Sequence, residues 1–161
     1  MIARIAAVVI AALLGVWALV RFVYVPHRCN AGITAAEVAT AAAEQTAADY
    51  DRLLRARRNL EVLAGLRESC ATEVRVPMLT GANLEFVGRA EDALASYKEA
   101  LRVDQRPEIY VEVARMQLEL GQVDEAVASY VTATRYSPLV LDGIASEEVR
   151  RRVREQLDAR R

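Results

Sequence analysis

Cys29 and Cys70 are the two cysteines of this 161-residue chain, and His27 is its one histidine. Such residues could form a disulfide, a thiolate–imidazole nucleophile or a metal site, and their spacing narrows the choice. No CxxC pair is present, which removes thioredoxin-type redox chemistry and haem attachment. One histidine with two distant cysteines supplies neither most zinc ligand sets nor a histidine-paired triad. No glycine-rich phosphate loop occurs, and the carboxylates are scattered. A net charge of −1 gives no nucleic-acid footprint. The expectation is a chain that is not an enzyme, holds no metal or cofactor and does not bind nucleic acid. What remains for the cysteines is a Cys29–Cys70 disulfide, or a buried Cys70 acting as a small apolar side chain.

That disulfide depends on the element between the two cysteines. Thr34 to Cys70 has no proline, one glycine (Gly65) and abundant Ala, Arg, Glu and Leu, which reads as strong helix. Thr34-Ala-Ala-Glu37 is a capping box that predicts its start, and Thr46-Ala-Ala-Asp49 resembles a second, weaker start. Leu53, Ala56, Leu60, Leu63, Arg67 and Cys70 follow the 3-4 spacing of one buried stripe. A single straight helix over 34–70 would be about 55 Å long. The five residues from Cys29 to Thr34 reach only about 17 Å, so a straight stalk excludes the disulfide, whose Cα atoms must come within about 7 Å. A turn near Thr46–Asp51 allows it. The segment is therefore either one juxtamembrane helix, which could also dimerise, or a helical hairpin closed by the disulfide.

Ile2 to Val25 is apolar apart from Arg4, Gly15 and Arg21. It approaches the roughly 20 residues that a spanning helix needs. Arg4 and Arg21 can snorkel at its ends, and Trp17, Phe22 and Tyr24 suit a membrane interface. Pro26 is expected to stop the helix. The rival reading is a cleaved signal peptide with a site near Val16-Trp17-Ala18; the apolar run continues past it, which favours an uncleaved anchor. The flanking positive charges barely discriminate orientation. An even cysteine pair suits a compartment outside the cytosol, and a basic complement of almost only Arg, with Lys98 the lone lysine, points to a GC-rich bacterial genome. The expectation is a single-pass protein of a bacterial inner membrane with its soluble part in the periplasm.

Beyond residue 74 the chain repeats itself. Gly88, Ala93, Tyr97 and Ala100 recur as Gly121, Ala126, Tyr130 and Ala133, each 33 residues on. Each Gly takes φ > 0 after a helix C-terminus, and Asp92 or Asp124 favours the start of the next helix. Ala, Tyr and Ala then share one helical face. Helical segments precede each Gly, at Met78–Val87 and Glu108–Leu120; Pro107 suits a first turn and Pro138 closes the second unit. This pattern resembles the tetratricopeptide (TPR) repeat. The second unit carries it through Tyr110, Val113, Ala114, Gly121, Ala126, Tyr130, Ala133 and Pro138. The first keeps Gly81, Gly88, Ala93, Tyr97 and Ala100 but has Pro77, Thr80 and Gln105 where the family has an aromatic, Leu and Pro. Ser146, Glu147 and Glu148 open a last helix with Val149, Val153 and Leu157 on one face, the expected cap of an array. Its arginines 150, 151, 152 and 154 are offset by acids and read as a solvated face.

The predicted fold is all-α, with an anchor over 1–27 and a juxtamembrane helix or hairpin over 28–73. Two TPR-like repeats over 74–140 and a capping helix over 141–161 follow. The resemblance implies a partner-binding groove along the first helices of the repeats. Its facing residues would be Met78, Ala82, Glu85 and Phe86, then Val111, Arg115, Leu118 and Glu119. The Lys and Asn clamp by which some TPR domains hold chaperone C-termini is absent at Met78, Ala82, Val111 and Arg115. Met78, Phe86 and Leu118 suggest an apolar anchor for a protein partner, unless residues 34–70 fill the groove themselves. Two repeats are fewer than the three usually needed, so the missing surface must come from flanking helices or another chain. The functional expectation is a membrane-anchored protein–protein interaction module, an accessory subunit or assembly factor of an envelope complex. It would bind protein partners, and the bilayer through residues 2–25. The alternative is a structural subunit that self-associates into an oligomer or filament by repeat stacking.

Overall fold

The computed structural model describes residues 2–159, with side chains from Val9 onward; the expected snorkelling of Arg4 lies outside these. Every regular element among the described residues is helical. Helix α1 (Ile2–Leu19) passes through a π-helical turn (Val20–Tyr24) into α2 (Val25–Glu44) without a break. Pro26 therefore does not end the helix, contrary to expectation. A proline inside an α-helix lacks an N–H and clashes with the carbonyl four residues back. Here the ladder has already opened: the Val25 N–H reaches the Val20 carbonyl, five residues back. The wider turn gives the pyrrolidine ring room. This rod contains a stretch long and apolar enough to cross a membrane. Its described residues before Cys29 are almost all exposed and none is buried.

The rest is a row of helical hairpins. α2 turns back into α3 (Asp49–Leu66), α4 (Arg75–Phe86) into α5 (Ala90–Val103), and α6 (Pro107–Glu119) into α7 (Val123–Tyr136). The short α8 (Val140–Gly143) leads to α9 (Glu147–Asp158). α3 packs on α4 as α5 packs on α6, so residues 25–66 form a third hairpin stacked at the end of the array. Of the two readings of residues 34–70, the hairpin is the observed one. Thr34 lies exposed inside α2 and cannot cap it. Thr46 closes α2 rather than starting α3, its hydroxyl donating to the Ala42 carbonyl. Of the expected stripe Ala56, Leu63 and Cys70 are buried but Arg67 is exposed, and Asn59, which the stripe left out, is buried.

The hairpin forms because α2 carries small or compact residues at a 4-3-4-3 spacing: Cys29, Ile33, Ala36, Thr40 and Ala43, all buried. They let α3 approach closely. Cys29 and Cys70 come within bonding distance, with Cα atoms 5.7 Å apart. Beside them Arg75 donates to Asn30 Oδ1 at 2.9 Å and pairs with Glu37 and Glu73, fixing the start of α4 on α2.

The two repeats behave as their sequence predicts. Gly88 and Gly121 both have φ +73°. After each, an N–H returns to the carbonyl five residues back, Arg89 to Leu84 at 2.9 Å and Gln122 to Gln117 at 2.8 Å. These bonds satisfy carbonyls that the helix end leaves free. Ala93, Ala100, Ala126 and Ala133 are fully buried, with Tyr97 and Tyr130 beside them. Ser146 caps α9 by accepting the Val149 N–H at 3.4 Å. Val149 and Val153 then close a core with Val127, Tyr130, Val131 and Ile144.

Candidate partner-binding groove

Two polar networks set the spacing of α2, α4 and α6, the first helices of the three hairpins. Thr40 sits at the centre of the first. Its hydroxyl donates to the Ala36 carbonyl at 2.9 Å and accepts from Asn59 at 2.9 Å and from Asn83 at 2.8 Å. One donor and two acceptor sites are all a hydroxyl has, so this one is saturated. Asn59 also donates to the Ala36 carbonyl and Asn83 to the Leu79 carbonyl. α2, α3 and α4 are thereby joined through groups with almost no solvent contact.

The second network ties α4 to α6. Glu85 accepts the phenolic hydrogen bond of Tyr97 and pairs with Arg115 at 2.5 Å. Arg115 also pairs with Glu112 at 2.6 Å. Burial, reinforced by the Glu85 bond, pushes the Tyr97 phenol well above its ordinary range, so it stays protonated and donates. Burial works against the Arg115 charge, yet the Glu112 and Glu85 bonds outweigh it and raise its pKa.

These helices wall an open groove. One part, about 410 Å³, is lined by Thr40, Glu44, Ala82, Phe86, Glu112 and Arg115. The other, about 540 Å³, is lined by Asp49, Tyr50, Leu53, Phe86, Val87 and Glu119. Glu85 and Phe86 border both. The Phe86 ring is half-buried and belongs to none of the hydrophobic clusters. Carboxylates outnumber cations along the walls: Glu44, Glu112 and Glu119 join Glu85 and Asp49 against Arg52 and Arg115.

Of the residues placed on the groove by resemblance, Ala82, Glu85, Phe86, Arg115 and Glu119 line it. Met78 packs instead against the cluster around Leu84 and Tyr97. Val111 and Leu118 pack against the cluster that docks α9. Residues 34–70 do not fill the groove; α2 and the start of α3 supply one wall through Thr40, Glu44, Asp49, Tyr50 and Leu53. Sequence reasoning missed that wall. The available signal was the spacing of Cys29, Ile33, Ala36, Thr40 and Ala43, which marks a face built for close helix packing.

No protein-family model matches the chain, and no curated protein matches it either. Among solved structures it is similar to a thermophilic TPR protein of Thermus thermophilus, with a TM-score of 0.63 and 23% identity over 89% of this chain and 69% of that one. The fold is TPR-like. A second similar structure is SycD, the type III secretion chaperone of Yersinia enterocolitica, in complex with a peptide of the translocator YopD. It gives a TM-score of 0.52 and 21% identity over 76% of this chain and 89% of that one. The TPR-like array here is the three hairpins plus α9. Its third hairpin grows directly out of the apolar N-terminal helix.

Proposed function

We propose that this chain is a membrane-anchored TPR-like interaction module whose α2/α4/α6 groove holds a segment of a protein partner. One observation carries the reading. Phe86 stands in the groove outside every core cluster, flanked by carboxylates. A partly buried aromatic side chain that belongs to no core cluster is a candidate anchor for a partner, and surrounding acids favour basic residues on that partner. SycD, a similar fold, is in complex with a peptide of the translocator YopD. The N-terminal helix would hold the module in a bacterial inner membrane, with the array in the periplasm, where the Cys29–Cys70 pair would be oxidised. Its role would then be that of an accessory subunit or assembly factor of an envelope complex.

The test is mild crosslinking in native membranes followed by co-purification. Phe86→Asp and, separately, Ala82→Arg, which fills the groove, are expected to lose the same partners as each other while circular dichroism stays unchanged. Leu118 is unsuitable for this purpose because it packs in the core. Partners retained equally by the wild type and both variants would exclude the groove as their site.

A further inference from the structure

A second groove lies where the apolar helix meets the hairpins. It occupies about 620 Å³ between the first turns of α2 and the last turn of α3, bordered by Tyr24, His27, Arg28, Gly32, Gly65 and Leu66. From Ile2 to Tyr24 the helix is about 34 Å long, close to the thickness of a bilayer's hydrocarbon core. The groove thus opens at headgroup level if that helix spans a membrane. Trp17, Phe22 and Tyr24 are exposed over the same stretch, as interfacial aromatics are.

The walls are apolar and the mouth is cationic. Gly65 leaves open space, with nothing within 4 Å of where a Cβ would sit. Arg28 lies over the Tyr24 ring, 5.7 Å from its centroid, and donates to the Tyr24 hydroxyl at 3.5 Å. That stacking holds the guanidinium beside the groove and leaves most of its donors free. Arg21 borders the neighbouring hollow with Pro26 and Asn30. Among the described residues neither Arg21 nor Arg28 pairs with a carboxylate; the nearby Glu73 is held by Arg75. Elsewhere on the array most arginines are matched by acids, as Arg67 is by Glu99 and Arg152 by Asp124. An unmatched cation at the mouth of an apolar slot, with a second beside the neighbouring hollow, is complementary to an anionic amphiphile at the end of a membrane-length helix.

We propose that this groove binds one anionic phospholipid, its phosphate held by Arg28, with Arg21 adding positive charge from the neighbouring hollow, and its acyl chain lying against Leu66 and the open face at Gly65. The proposal rests on the reading of the N-terminal helix as an anchor, and the experiment separates the two. Full-length protein in neutral detergent is titrated with phosphatidylglycerol, phosphatidylcholine or inorganic phosphate, and bound lipid is counted by native mass spectrometry. One phosphatidylglycerol per chain is expected, retained in preference to phosphatidylcholine. Arg28→Gln should weaken it about fivefold. Gly65→Leu should block it with all charges intact, and because Leu favours helix more than Gly does, the fold should survive. Equal retention of the two lipids would overturn the site. So would phosphatidylglycerol binding unaffected by either variant, or displacement by phosphate at lipid-like concentrations. The anchor is tested by alkaline extraction from pure phosphatidylcholine vesicles. A chain that is extracted has no anchor, whereas a chain that stays inserted but shows no lipid preference lacks only the groove.

Discussion

Single atoms decide two of the packing arrangements. A Cβ at Gly81 would lie 2.6 Å from Tyr97 Cε1, so the absence of a side chain there is what seats the Tyr97 ring. In the second unit the corresponding residue is Ala114, buried in the cluster with Tyr130. Gly81→Ala is therefore expected to destabilise by about 1–3 kcal/mol through overpacking, despite the better helix propensity of Ala. Urea unfolding measures it, and a stabilised variant would show that the ring can move aside. Thr40 is the second case. Thr40→Val keeps the shape but takes the shared acceptor from the Asn59 and Asn83 amides, both buried. Leaving buried donors unpaired costs about 1–3 kcal/mol. A loss below about 0.5 kcal/mol in the same assay would mean that the amides find other partners. Neither partner of Thr40 could be named from sequence, because Asn59 and Asn83 are 19 and 43 residues away from it.

The elements divide by how local their determinants are. α4 to α7 were legible because a glycine, an acidic first turn and an Ala-Tyr-Ala face all lie within one helix or its turn. Gly88 and Gly121 adopt the left-handed conformation that this reading required. The long N-terminal rod was not legible. Pro26 and the Thr34 capping box are genuine stop and start signals, and both were overridden, the first by a π-turn and the second by continuous packing of α2 on α3. The turn over 45–48 has no glycine or proline to announce it. The groove inherits this division: the α4 and α6 walls followed from the repeat, and the α2 wall required the hairpin. The cysteine pair belongs at this scale because it closes the loop formed by α2 and α3. Its separation of 41 residues gives a chain-entropy stabilisation of about 4 kcal/mol. Cys29→Ser with Cys70→Ser should lower the melting temperature, and reductant should do the same to the wild type but not to the variant. A wild type indifferent to reductant would argue for two thiols packed side by side.

For the molecule as a whole, the question is whether the array ends or continues. Stacking into a filament joins one end of the array to the opposite end of the next copy, so both ends must be open. The C-terminal end is closed. Val149 and Val153 of α9 are buried against α7, with Ile144 beside them, while Arg151 turns outward and pairs with Glu148 and Glu155. Arg152 reaches back to Asp124 at 2.6 Å, and Arg150 donates to the Ile144 carbonyl at 2.6 Å, pinning the entry to the cap. An apolar inner face under a charged outer one ends a repeat array. The full chain should accordingly stay monomeric in detergent by light scattering as its concentration rises. Truncation after Gly143 removes Ile144 and α9 and uncovers Val127, Tyr130 and Val131. Uncovered apolar surface of that kind drives association, so the truncated chain is expected to self-associate with increasing concentration. Growth of the full-length protein into dimers or longer species would restore stacking as the function, and a truncated chain that remained monomeric would show that α9 caps nothing the array needs covered.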